Sequence, residues 1–156
     1  MLGLLESGKR IWNIDETFLS DTMYVRKKWH KRGSSNSIGY KQVSPNLNLF
    51  TAIDNFGKTY LSLMQTTGDS KMFMLYLTHF AKVLEAEDPN FRENNVILID
   101  GAPSHYAEET LAHMKGLNLP MIMTAPYSWA AAPCELWFSQ LKSVELNPMG
   151  LSTGKK

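Results

Sequence analysis

Two short apolar runs, each closed by an aspartate, constrain this chain more than any other feature. Ile11-Trp12-Asn13-Ile14 ends at Asp15, and Val96-Ile97-Leu98-Ile99 ends at Asp100. Runs this short and this apolar suit strands buried on both faces. Each aspartate then sits where a strand ends and its side chain emerges into a cleft. A third carboxylate, Glu135, lies in Pro133-Cys134-Glu135-Leu136-Trp137-Phe138, which reads as the first turns of a helix, with Pro133 well placed at its start. Carboxylates on two core strands and a nearby helix can hold hard divalent cations, because Mg²⁺ and Mn²⁺ favour oxygen ligands. A site of this kind suits phosphodiester chemistry.

The rest of the chain alternates strand-like and helix-like patterns without an internal repeat. Strand-like runs fall at 10–15, 22–27, 47–54, 59–65, 95–100 and 120–124, and Asp54-Asn55-Phe56-Gly57-Lys58 joins two of them as a hairpin. The Ser- and Gly-rich stretch 31–45 reads as a loop. A helix is predicted over 70–86 with Asp69 as its N-cap, and its Phe73, Tyr76, Leu77, Phe80 and Leu84 form one apolar stripe. Further helices are predicted over 105–115, capped by Ser104 and ended by Gly116, and over 133–146. Antiparallel strands followed by β-α-β-α-β-α imply a mixed sheet covered by helices, in one domain. Pattern alone says α/β and nothing finer.

The single cysteine, Cys134, excludes an intramolecular disulfide and agrees with a reducing, intracellular setting: the nucleus in a eukaryote, otherwise the cytoplasm. Next to Glu135 it is expected to be a packed thiol, since its side chain leaves the helix about 100° away. No apolar stretch reaches the length of a membrane span, so no membrane partner is expected. With a net charge of +1, any nucleic-acid surface must be local. One candidate is the run Arg26-Lys27-Lys28-Trp29-His30-Lys31-Arg32, in which Arg26, Lys27, Lys28, Lys31 and Arg32 flank Trp29. Cations at this density bind phosphates by counterion release, and Trp29 can stack on an unpaired base. A solvated hairpin or a nuclear-targeting run is the plainer reading of the same residues.

Taken together, the motifs resemble the catalytic domain of DDE transposases, specifically the Tc/mariner-like superfamily. The matching segments are Trp12-Asn13-Ile14-Asp15-Glu16-Thr17, Val96-Ile97-Leu98-Ile99-Asp100-Gly101-Ala102-Pro103-Ser104-His105, Ala125-Pro126-Tyr127-Ser128 and Pro133-Cys134-Glu135-Leu136-Trp137, followed by Leu141-Lys142. The 34 residues between Asp100 and Glu135 match the spacing of this superfamily. Gly101 stands where the family usually has Asn, and Trp129 and Ala132 stand where it has Pro and Asn. The resemblance implies a ribonuclease H-like fold: a mixed five-stranded sheet with helices on both faces. It divides the chain into a lead-in (1–9), a catalytic domain (10–146) and a disordered tail (147–156). The family's helix-turn-helix modules would lie upstream, so the chain is expected to be a catalytic-domain fragment or the product of an incomplete element.

The same resemblance implies metal-dependent DNA cleavage and strand transfer. Asp15, Asp100 and Glu135 would be both the catalytic residues and the ligands of two Mg²⁺ (or Mn²⁺) ions. The partners would be DNA, as transposon ends and target duplex, and a second copy forming a homodimer in the full-length context. His105 matches the family's His five residues after the second Asp, which lines the cleft; a plain helix-start residue fits it equally. Lys142, two helical turns after Glu135, would hold a DNA phosphate or lie on a solvated face. Glu16, one strand position after Asp15, faces the other way and is expected to form a salt bridge, with a supporting part at the metal as the lesser alternative. Two other functions stay open: an inactive or repurposed transposase-derived DNA-binding module, and a ribonuclease H-like nuclease acting on other nucleic acids. If the basic run meets DNA, replacing Lys27, Lys28 and Lys31 by Gln will weaken binding and flatten the log–log salt dependence by about 0.9 per lost contact. An unchanged slope in a fluorescence-anisotropy titration would remove the run from the DNA surface.

Overall fold

A computed structural model of the chain describes residues 3, 6–19, 47–65, 69–124 and 132–146. Its sheet has five strands: β1 (Arg10–Leu19), β2 (Leu47–Asp54), β3 (Thr59–Met64), β4 (Asn95–Ile99) and β5 (Met121–Met123), in the order β3-β2-β1-β4-β5. The first three pair antiparallel, while β1–β4 and β4–β5 pair parallel. The helices are α1 (Ser70–Glu87), the single turn α2 (Phe91–Asn94), α3 (Glu108–Gly116) and α4 (Pro133–Gln140), which continues as a π-helical turn over Leu141–Glu145. The expected mixed sheet is present. The expected strand at 22–27, the loop 31–45, the Arg26–Arg32 run, the Tyr127 motif and the tail 147–156 lie outside the described residues.

Strand side chains alternate between faces, and both faces of the sheet's centre are covered. On one face Trp12, Ile14, Phe50, Ala52, Ile97 and Ile99 meet the α1 stripe of Phe73, Tyr76, Leu77, Phe80, Ala81 and Leu84. Trp12 packs edge-on against Phe80 at 5.1 Å between ring centroids, and its indole N–H donates to Asn95 Oδ1 at 2.9 Å. On the other face α4 presses Cys134 and Phe138 onto Leu49, with Ile11, Val96 and Leu98 forming a smaller cluster. Burial on both sides is why the β1 and β4 sequences read as unbroken apolar runs rather than as alternation. The edge strand β3 does alternate: Tyr60 and Met64 pack on the core, whereas Leu61 and Leu63 are exposed.

Local signals hold at most element ends. Asp69 caps α1 by accepting from the Met72 amide at 3.0 Å. The β2–β3 turn closes on Asp54, whose Oδ1 accepts from the Phe56 and Lys58 amides, and Gly57 takes the positive φ of 88° that the turn requires.

Three expectations are corrected. Asp15 does not end its strand: β1 runs on to Leu19 because β2 pairs with it as far as Leu19↔Leu47, although β4 stops at Ile99. The third helix begins at Glu108 rather than at 105, with no side-chain cap from Ser104, because 102–107 are spent in turns that place His105. The last helix is not α-helical to 146; the Leu146 amide donates to Leu141 O at 2.8 Å, five residues back, widening its final turn.

Removing Phe80 from this core leaves a cavity beneath Trp12, so Phe80→Ala is expected to cost about 3–5 kcal/mol in urea unfolding. Leu61→Ser, on the exposed side of β3, is expected to stay within about 0.5 kcal/mol of wild type.

Candidate active site

The β1–β4 register decides where the carboxylates meet. Ile14 pairs with Ile99, so the next residues along the two parallel strands are Asp15 and Asp100. Asp15 shares its sheet face with Asn13, which is two positions earlier, and Asn13 meets α4: the Cys134 amide donates to Asn13 Oδ1 and the thiol to Asn13 O, both at 3.1 Å. That contact seats the first turn of α4 over the strand, with Cys134 buried beneath the helix and Glu135 at its exposed rim. Asp15, Asp100 and Glu135 therefore lie on one side of the sheet, near the carboxyl end of β4.

Their charges act on one another. Burial first, then the neighbouring Asp100 carboxylate, push the Asp15 carboxyl up to about 7; Glu16 and Glu135 add to this, and the Glu16 amide, donating to Asp15 Oδ1 at 2.9 Å, opposes it. Asp100 is held below the usual carboxylate range, chiefly by its hydrogen bond from His105 and also by the Ala102 amide at 3.2 Å, against the opposing effect of burial. The Cys134 thiol is pushed up by burial and by the Asp15 and Glu135 charges, in keeping with a packed, unreactive thiol. Among the described residues, no three His, Cys, Asp or Glu side chains are closed together tightly enough to hold a metal ion. As a donor set the three carboxylates still fit a hard divalent cation, since they offer only oxygen, and burial together with the Asp100 charge already makes Asp15 costly to ionise.

His105 joins the two faces. Its side chain is fully buried, with Nδ1 2.7 Å from Asp100 Oδ1 and Nε2 3.0 Å from Glu16 Oε2. Phe73 of α1 stacks on its ring at 4.1 Å. Burial is the largest single influence and pulls the imidazole down, but the bonds and charges of Asp100 and Glu16 outweigh it and push His105 up to about 10. Glu16 thus makes the salt bridge expected of it, on the face away from Asp15. Lys142 Nζ donates to Thr17 Oγ1, with burial pulling its ammonium down and the Glu135 and Asp15 charges opposing that shift. It stands beside the carboxylates, as its spacing from Glu135 predicts. Arg26, Lys27, Lys28, Trp29, Lys31 and Arg32 lie outside the described residues. Sequence reasoning missed Asn13 and Thr17, the residues that seat α4 and Lys142. Asn13 carried a signal, as a polar residue inside an apolar run; Thr17 carried none.

The DDE superfamily endonuclease model matches residues 10–149. The chain belongs to that family. DDE superfamily membership brings the resemblance noted above to nearly the whole chain. No curated protein sequence matches it. Among solved structures, the Mos1 transposase paired-end complex with left transposon end aligns at TM-score 0.64 and 22% identity, over 90% of this chain and 44% of that one. The catalytic domain of Mos1 mariner transposase aligns at 0.59 and 20%, over 84% of this chain and 57% of that one. The intasome of simian T-cell lymphotropic virus, in complex with PP2A regulatory subunit B56 gamma, aligns at 0.57 and 18%, over 86% of this chain and 38% of that one. Likeness at these identities is one of fold, and the fold is the ribonuclease H-like one. The DDE chain spans less than half the length of the Mos1 paired-end chains it matches. At the position where the family usually has Asn, a side chain on Gly101 would first meet the Tyr106 ring, 3.2 Å from an added Cβ.

The raised His105 value fixes the sign of a pH effect. A group whose folded value lies above its unfolded one stabilises fully below the unfolded value, here 6.5, and the effect is lost as pH rises through about 10. His105→Gln is therefore expected to lose about 2 kcal/mol at pH 6, with the gap to wild type narrowing by pH 10.5. Urea unfolding of both proteins across that range checks it.

Proposed function

We infer that this chain is the catalytic core of a transposase, cutting DNA at element ends and joining the freed ends to target DNA. The observation that carries the reading is the meeting of Asp15 and Asp100 at adjacent strand positions, on the face over which α4 sets Glu135. Family membership supports it, as do the Mos1 neighbours, solved as a paired-end complex with left transposon end, a strand transfer complex and paired-end complexes with Mn and with Mg.

Asp15, Asp100 and Glu135 would hold two Mg²⁺ or Mn²⁺ ions. Bound there, such ions would lower the barrier to attack by water or a 3′-hydroxyl and would stabilise the departing oxygen. The chain's own residues do the rest. Asp15, pushed up to about 7 by burial and by Asp100, would release its proton to solvent on taking up a cation. Lys142, beside Glu135 and Asp15, offers an ammonium to a neighbouring DNA phosphate, for which it would leave Thr17. Water opens the phosphodiester at the element end, and the freed 3′-hydroxyl then attacks the target strand, so no side chain becomes a covalent nucleophile. The basic run of residues 26–32 would add sequence-independent affinity for the duplex. Full-length partners would be transposon ends, target duplex and a second copy of the protein.

A second reading, a DNA-binding module that no longer cuts, draws on the departures from the family motifs at Gly101, Trp129 and Ala132. Cleavage assays on duplex DNA and on an RNA–DNA hybrid, with and without Mg²⁺, separate the two readings and also test for a ribonuclease H-like nuclease. Duplex cleavage that needs Mg²⁺ and disappears in Asp100→Asn and Glu135→Ala, with DNA affinity unchanged in Glu135→Ala, is the expected result. Mg²⁺-independent binding without cleavage would establish the module instead. Millimolar Mn²⁺ is also expected to raise the melting temperature of wild type but not of Asp100→Asn. Because cation and proton compete for Asp15, that gain should grow as pH rises through about 7.

A further inference from the structure

We propose that Glu16 and His105 are positioning residues that together orient Asp100 for a divalent cation, an inference that rests on the metal-site reading above. The His105 side chain has no solvent exposure, yet both ring nitrogens meet carboxylates: Nδ1 lies 2.7 Å from Asp100 Oδ1 and Nε2 lies 3.0 Å from Glu16 Oε2. An ionised carboxylate only accepts, so both nitrogens donate and the ring is a cation held between two anions. An imidazolium is expensive to bury unless each N–H is matched, and here each one is.

Every degree of freedom of the ring is used. Phe73 stacks on it at an interplanar angle of 29°, fixing its plane. Glu16 fixes its rotation, and Glu16 is itself set by β1, which stays paired to β2 beyond the end of β4. Asp100, by contrast, lies just past the last residue of β4, with a side chain that is half-exposed, so the strand alone does not hold it. Among the described residues, the bonds to its carboxylate, from His105 Nδ1 and the Ala102 amide, both fall on Oδ1. Oδ2 is the oxygen that this arrangement presents to a ligand. The result is a carboxylate–histidine–carboxylate chain in which the histidine orients a metal ligand instead of being one, and in which Glu16 acts from the opposite face of the sheet. Outer partners of metal ligands commonly alter metal affinity by about 10–100-fold.

The test is Mn²⁺ binding by the 156-residue chain, followed by calorimetry and by the loss of the free-ion paramagnetic resonance signal, at a temperature where every variant is folded. Glu16→Gln and His105→Gln are each expected to weaken Mn²⁺ binding about tenfold or more, with far-UV circular dichroism unchanged and, in the cleavage assay, a lower kcat at unchanged KM for DNA. Should His105→Gln fail to fold, Glu16→Gln decides alone, because the Glu16 side chain is partly exposed and its replacement keeps the shape. A fall in melting temperature with Mn²⁺ affinity unchanged would make the pair merely structural and overturn the proposal, leaving the metal site standing. A wild-type chain that takes up no Mn²⁺ would overturn the metal reading and this role with it.

Discussion

The parallel ladder between β1 and β4 is the constraint on which the rest of this structure depends. It runs from Arg10↔Asn95 to Ile14↔Ile99, with both strands buried between α1 on one side and α4 on the other. A shift of one residue in this register would turn every side chain to the wrong face, exposing Trp12 and Ile14 and burying Asp15 among the aromatics. The apolar core thus fixes the positions of the acidic residues. Packing and the placement of the acidic cluster are coupled because Asp15 and Asp100 occupy the first positions beyond the β1–β4 ladder.

Unequal strand lengths make the site asymmetric. β4 stops at Ile99, while β1 continues to Leu19 on the hydrogen bonds of β2. Asp15 is held in a continuous strand and is pushed up to about 7 by burial and by Asp100. Asp100 stands just past the last residue of β4 and is held down instead, chiefly by its hydrogen bond from His105. Two aspartates side by side therefore have opposite electrostatic character, one reluctant to ionise and one firmly ionised. The imidazolium of His105 and the ammonium of Lys142 only partly offset the four carboxylates of Asp15, Glu16, Asp100 and Glu135, leaving an acidic site that divalent cations would help to neutralise.

The far side of the site depends on a helix that is only two turns long. α4 owes its seat to Asn13, which satisfies the Cys134 amide and accepts from its thiol, and to Phe138 against Leu49. The helix runs on as a π-helical turn over Leu141–Glu145, and Lys142 within it donates its ammonium to Thr17 Oγ1. A residue inserted into a helical turn is a common way to aim a side chain at a functional site.

Much of this was legible in the residues themselves. The strand at Leu47–Asp54, the Asp69 cap, the apolar stripe of α1 and the helix start at Pro133 all follow from local periodicity and end chemistry, which act within a few positions of the chain. The placement of the acidic residues was legible in part, Asp15 and Asp100 as carboxylates after apolar runs and Glu135 as one in the first turn of a helix. Only the tertiary structure decided that β1 outlasts β4, that residues 102–107 turn rather than begin a helix, and that Glu16 reaches His105 across 89 positions and Lys142 reaches Thr17 across 125. Periodicity tells which side of an element is buried. It does not tell which partner waits there, because that is chosen by the packing of the whole sheet against its helices, where distant residues are matched by shape and charge.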